Sequence, residues 1–437
     1  MLFLYNLALQ IALVIFSPII IPIVLFKKKY RTNIVPRLAV FRRETMAAAK
    51  AFKQRPILIH AVSVGEVGVA MPIIKALEHL NIPLVLSTIT VTGQAFARER
   101  LNGEATVVYL PLDIPFMVRR FLKLINPRCV VIVETELWPN FINEAAKAGI
   151  PLALVNGRIS DKSIKGYRMA RSLGRRLLPK FTTILVQTER DAQRIVEIGA
   201  EEEVVKVAGT VKFDQPLKKL EPGERELIAD RFGFAPDRRL IVCGSTFPHE
   251  EGLLLDVFLQ LRKEYPNLGI IIAPRHVQRG DTIAGLAAER NIQFAQRSKE
   301  TSTSRGYDLL ILDTMGELKD AYAIAEIAYV GKSLSKEIAG GQNPIEPASY
   351  GVPVLFGPNM QNFRAVAESL VSAGAAILVA DEQELLWRMS GLLKEPALRE
   401  RMARAAEETI TANRGATELI VRSLEESGLL DDAGRSL

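Results

Sequence analysis

The residues best suited to chemistry are carboxylates and cations that close short apolar runs. Glu66 ends the stretch HAVSVGE (60–66), after an apolar run and a glycine. A carboxylate there can take a proton from a hydroxyl, and it also suits an ordinary helix start. Glu134 and Glu136 stand one residue apart in ETELWPN (134–140), after five apolar residues. Carboxylates so placed must be paired, hydrogen-bonded or functional. Lys212, in GTVKFD (209–214), adds a cation or is a solvated lysine.

A second group lies further along the chain. GST (244–246) and DTMGE (313–317) each follow an apolar run and precede helical sequence. Small residues at a helix start can bind phosphate through free N–H groups and the helix dipole. Thr314 with Glu317 also fits a plain capping box. PRH (274–276) brings Arg275, which can pair with a phosphate or carboxylate or sit on the surface. In GGQNPIEP (340–347) the glycines permit close backbone approach, and Pro347 suits a first helical turn. Glu346 there can accept hydrogen bonds from two ribose hydroxyls, or simply favour the helix dipole.

The elements that position these residues repeat along the chain. From residue 57, short apolar runs alternate with helical periodicity. The first seven runs are 57–64, 84–89, 106–110, 129–134, 152–156, 184–187 and 204–208. Seven more lie at 240–243, 269–273, 292–295, 309–313, 327–330, 354–356 and 376–379. Runs apolar on both faces are buried parallel strands. The expected fold class is therefore α/β, with two Rossmann-like domains facing a cleft, and ligands beyond the carboxyl ends of the strands. Part of the polar stretch 212–238 supplies the linker. Boundaries are expected at 1–30 (anchor), 31–217 (first domain) and 218–437 (second domain).

A chain of 437 residues suits two or three domains, and its 48% apolar content excludes a disordered or fibrous chain. Cys129 and Cys243 each sit in an apolar run, which argues against a disulfide framework and for a reducing compartment. No His, Cys or carboxylate cluster has metal-ligand spacing, so neither a metal nor another cofactor is expected. The net charge of +7 suits an anionic partner. The sequence carries no nucleic-acid motif, which leaves a lipid surface, an anionic small molecule, or a solvated basic surface with no partner. Residues 1–26 contain no charged side chain, and Lys27, Lys28, Lys29 and Arg31 follow at once. That length suits a membrane anchor helix and the basic flank keeps the rest cytoplasmic. Pro18 and Pro22 favour membrane attachment over a straight span. The basic, partly apolar segment 31–50 suits a lipid surface or an amphipathic helix on the core.

Taken together, SVGE (63–66), ETELWPN (134–140), GTVKFD (209–214), APRH (273–276), DTMGEL (313–318) and NPIEPA (343–348) resemble the Kdo transferases of lipopolysaccharide synthesis. They stand in that family's order, and the resemblance runs from the anchor to about residue 363. It implies a GT-B glycosyltransferase fold, CMP-Kdo (Kdo is 3-deoxy-D-manno-octulosonic acid) as donor and a lipid A precursor as acceptor. It implies Glu66 as catalytic base, with Glu134 and Lys212 stabilising the transition state. Nucleotide contacts would fall on Pro274, Arg275, Met315, Gly316, Glu317, Asn343, Pro344, Ile345 and Glu346. The cytoplasmic face of a bacterial inner membrane is the implied location. Two positions depart from the family's usual pattern: Phe247 and Gln342 each stand where a histidine is usual. Three other readings remain open on the residues alone. One is a lipid-linked glycosyltransferase with a different nucleotide sugar; another is a nucleotide-sugar epimerase of the same fold; the third, to which the Phe247 and Gln342 departures point, is a membrane-tethered binding or scaffold protein whose site has decayed.

Overall fold

A computed structural model describes residues 2–26, 35–41, 43–299, 306–335 and 340–431. All fourteen expected strands form. In the first unit they are β1 (Ile57–His60), β2 (Leu84–Thr88), β3 (Thr106–Tyr109), β4 (Cys129–Val133), β5 (Leu152–Gly157), β6 (Thr183–Val186) and β7 (Val205–Val207). They pair in parallel in the order β3-β2-β1-β4-β5-β6-β7. Chain direction across the sheet reverses between β1 and β4, so their carboxyl ends border the switch point, where open α/β sheets bind ligands. Every residue of β1, β2, β4, β5 and β6 is buried. Helices cover both faces, as continuous apolar runs require.

The second unit repeats the design with β8 (Arg239–Thr246), β9 (Leu268–Pro274), β10 (Phe294–Gln296), β11 (Leu309–Ile311), β12 (Ile327–Val330), β13 (Val354–Phe356) and β14 (Ala376–Leu378). Its order is β10-β11-β9-β8-β12-β13-β14, again parallel, with the switch point between β8 and β12. Each unit has two apolar cores, one on each sheet face. Both cysteines are buried and unbridged.

The expected boundaries differ from the observed ones. The compact units are 1–214 with 415–437, and 215–414. The helix Ala416–Glu426 returns to the first unit because Ile420 and Leu424, both fully buried, pack against Val67, Ile74 and Leu77. Asp214 fastens the return, accepting from the backbone N–H groups of Gly415 (2.7 Å) and Thr417 (2.6 Å). As expected, only part of the stretch 212–238 is linker: the helix Glu224–Arg231 places Ile228 and Ala229 in the second unit's core beside Phe232 and Phe234.

Residues Leu2–Phe26 form one helix containing Pro18 and Pro22. Among the described residues no helix is long and apolar enough to cross a membrane. The basic flank Lys27, Lys28, Lys29 and Arg31 lies outside the described residues. The start of the helix docks on the first unit: Tyr5 donates to Asp113 Oδ2 (2.9 Å), and Asn140 Nδ2 donates to Asn6 Oδ1 (2.6 Å). The following segment also packs on that unit, with Phe41 against Phe121 at 6.2 Å and Arg37 over the Tyr109 ring.

Candidate functional site

In the first unit the switch point collects the expected residues. The helix Val64–Leu77 begins just past β1, with Ser63 at its N-cap position. Ser63 does not cap through its side chain. Its hydroxyl donates to Glu66 Oε1 (2.9 Å), and the Val62 N–H donates to Glu66 Oε2 (2.6 Å). Glu66 is thus pinned by its own turn and left 8% exposed. Burial pushes its carboxyl from 4.5 up to about 7, and the charges of Glu136 and Glu134 push the same way. A carboxyl near neutrality is suited to general-base work at physiological pH.

His60 ends β1 but is no alternative base. It is fully buried, with Nδ1 2.9 Å from Ser87 Oγ and its ring edge-on to Phe141, and burial lowers its pKa to about 4.

Glu134 follows β4 with φ +59, a left-handed conformation unusual for a glutamate. Its N–H is held by the Val155 carbonyl at 2.9 Å, so the strand register enforces the turn. Its carboxylate accepts from Arg158 Nε (3.1 Å). Arg158 is fixed in turn: its N–H donates to Thr135 Oγ1 (3.0 Å), and Thr135 Oγ1 donates to the Arg158 carbonyl (2.5 Å). Glu136 accepts from Trp138 Nε1 (3.1 Å), and burial raises its pKa, helped by Glu134.

Lys212 sits in the turn Val211–Phe213. The Val211 N–H donates to Asn156 Oδ1 at 3.2 Å, and Thr210 caps the turn. Burial lowers the Lys212 pKa, Glu134 opposes that shift, and Arg158 adds to it. Glu66, Glu134, Glu136, Arg158 and Lys212 therefore form one electrostatic group. Sequence reasoning missed Arg158. Its signal was a cation directly after the β5 run, but only the pairing of β5 with β4 puts it beside Glu134.

The second unit spreads its candidates over several strand ends. Arg275 follows β9 and is exposed, with its N–H bonded to the Thr246 carbonyl at 3.0 Å. Pro274, Pro344 and Ile345 are buried. The helix that follows DTMGE begins at Leu318 and has six residues. Met315 is 78% exposed and Gly316 takes φ +93, so both lie in the turn before it. Thr314 and Glu317 do not form a capping box: the Thr314 hydroxyl donates to the Glu317 side chain, and Arg297 Nη2 donates to it at 2.9 Å. Although burial opposes it, these bonds hold Glu317 below its usual range.

Asn343 Oδ1 accepts from the Ile345 N–H (3.0 Å), which shapes the turn into the one-turn helix Ile345–Ala348. Glu346 lies there; burial raises its pKa, opposed by Lys319 and Lys218. Among the described residues no group of three or more His, Cys, Asp or Glu side chains is arranged to hold a metal ion.

Comparison with known proteins fits this geometry. Residues 36–215 match the family described as 3-deoxy-D-manno-octulosonic-acid transferase (kdotransferase). A 3-deoxy-D-manno-octulosonic acid transferase of Bordetella pertussis is 34% identical over 391 residues, covering 87% of this chain and 89% of that protein. One from Haemophilus influenzae is 31% identical over 372 residues, covering 84% and 86%. Among solved structures, an Anabaena protein crystallised with UDP superposes with a TM-score of 0.60 at 13% identity, over 85% of this chain and all of that one. That last likeness speaks for the two-unit fold alone.

Proposed function

The chain belongs to the 3-deoxy-D-manno-octulosonic acid (Kdo) transferase family of glycosyltransferases, and from that premise we propose that it transfers Kdo from CMP-Kdo to a lipid A precursor with inversion. The observation that carries the mechanism is the Glu66 carboxyl, buried at the β1 end and poised near neutrality. Ionised Glu66 removes the proton of an acceptor sugar hydroxyl. The hydroxyl oxygen bonds to the anomeric carbon of Kdo as the bond from that carbon to the phosphate oxygen breaks. The electron pair leaves with CMP and the proton stays on Glu66. Lys212 and Arg158 place positive charge beside Glu134, and that charge favours the anionic groups formed in the transition state. In the second unit Arg275 and the exposed Met315–Gly316 turn offer a cation and backbone N–H groups to the leaving phosphate.

A lipid acceptor fits the first helix. Phe3, Leu4, Leu7, Ile11, Val14, Ile15 and Phe16 are all exposed there. A row of exposed apolar side chains suits a membrane surface. With the basic residues at 27–31, this supports attachment to the cytoplasmic face of a bacterial inner membrane.

The test is an assay with CMP-Kdo and a lipid A precursor, reading product mass and the anomeric configuration of the new linkage. A Kdo-sized mass increment with inverted configuration is expected. Glu66→Ala should abolish it while CMP binding persists; undiminished transfer by that variant would remove Glu66 from the mechanism.

A further inference from the structure

We propose that Lys332 binds an anionic oxygen of the donor sugar nucleotide, at a site it forms with Phe247 and the Gly340–Gly341 turn. The proposal rests on the donor reading above and adds to it a contact made by a residue outside the expected set.

Lys332 and Phe247 lie just past β12 and β8, the two strands that border the second unit's switch point. Ligands of open α/β sheets sit in the crevice there. Lys332 has φ +60. A long side chain is disfavoured in that region, and glycine would sit there without strain. Such an outlier persists only where its surroundings over-determine it.

The surroundings are visible. The Lys332 N–H donates to Glu250 Oε2 (2.8 Å), and its carbonyl accepts from the Gly341 N–H (2.9 Å). The same Glu250 oxygen accepts from the Phe247 N–H (3.0 Å). The other oxygen accepts from the N–H groups of Ser333 (2.9 Å) and Leu334 (3.1 Å) and from the Tyr329 hydroxyl (3.0 Å). One buried carboxylate therefore fixes the backbone of both Lys332 and Phe247.

The result is a defined position for the ammonium group, 5.2 Å from the centre of the Phe247 ring. The ring's other neighbour is His276, edge-on at 5.5 Å. An aromatic face holds the cation without using its N–H donors. Among the described residues no carboxylate is paired with Lys332. Glycine is favoured next to it: Gly340 and Gly341 take φ +132 and +67, and a Cβ on Gly341 would come within 3.0 Å of the Met360 Cα. That turn leads directly into Gln342 and Asn343.

Lys332 thus adjoins both places where this chain departs from its family's usual histidines. It meets Phe247 through the ring and Gln342 through Gly341. Neither of those residues carries charge, and Lys332 does.

The test uses the full chain and the variants Lys332→Gly, which relaxes the backbone, and Lys332→Met, which keeps the stem and removes the charge. The readouts are the KM for CMP-Kdo, the affinity for CMP by calorimetry, and the melting temperature. Both variants should weaken CMP-Kdo by about tenfold to a hundredfold, the effect of one charge-assisted hydrogen bond. Lys332→Gly should melt no lower than the unaltered protein. Loss for CMP-Kdo with CMP unchanged assigns the anion to the sugar carboxylate, and equal loss for both assigns it to the phosphate. Unchanged affinities in either variant overturn the proposal. Failure of the unaltered protein to bind CMP or CMP-Kdo would instead refute the donor reading itself.

Discussion

Replacing Glu66 by Gln separates stability from chemistry and puts a number on each. The carboxyl is raised from 4.5 to about 7, chiefly by burial. That difference is worth ~3 kcal/mol against the ionised form in the folded chain. The sign follows from proton counts. Between pH 4.5 and about 7 the folded chain holds a proton that the unfolded chain has released. Stability therefore falls as pH rises through this window, and the whole penalty stands above it.

Gln is neutral throughout and can keep both local bonds. Its carbonyl can accept from the Val62 N–H, and its amide can donate to Ser63 Oγ once that hydroxyl turns round. Glu66→Gln should thus stabilise the first unit by ~3 kcal/mol at pH 8, a rise in melting temperature of about 6–12 °C, shrinking towards zero near pH 4.5. Transfer should be lost in the same variant. In the unaltered enzyme kcat/KM should be about tenfold lower at pH 6 than at pH 8, following ionised Glu66 in the free enzyme. Thermal melts and rate profiles across pH 5–8 check both halves. A Gln variant that is less stable at pH 8 than the unaltered chain would refute the burial argument. A flat rate profile would refute the assignment of the base.

Other perturbations read the supporting structure. Glu136→Gln removes a charge that raises the Glu66 pKa, so the rise in kcat/KM should move to lower pH; a profile that stays put or moves up disproves that coupling. Glu250→Ala should leave the N–H groups of Phe247, Lys332, Ser333 and Leu334 without their carboxylate. A cost above ~3 kcal/mol is expected, with faster hydrogen exchange confined to the second unit. Leu424→Ala opens a cavity in the core shared with Val67 and Ile74 and should cost ~2–5 kcal/mol. Hydrogen exchange should rise in the first unit, although Leu424 lies after the whole second unit in the chain.

The strands and the family were legible in the residues alone. Buried parallel strands need side chains that are apolar on both faces, so the central strands announce themselves locally, down to the three-residue β13. Glu134 stood out because a carboxylate ending such a run has no place in a core, whereas Glu66, which also suits an ordinary helix start, was singled out by its motif. Lys212 and the donor-side residues were recognised through ordered motifs, whose spacing along the chain survives without knowledge of the sheet order.

What the tertiary structure decided are the pairings between segments remote in sequence. Arg158 meets Glu134 only because β5 lies beside β4. Lys332 meets Phe247 only because β12 lies beside β8, and one carboxylate ties their backbones together. The helix Ala416–Glu426 crosses back to the first unit because its apolar face finds its partner there, which no local pattern records. Periodicity is set by a segment's own geometry, whereas electrostatic partnership depends on strand order, and burial decides how strongly each charge feels its partner. The near-neutral carboxyl of Glu66 belongs to that second kind of fact: its position was written in the sequence, and its proton affinity is set by the fold around it.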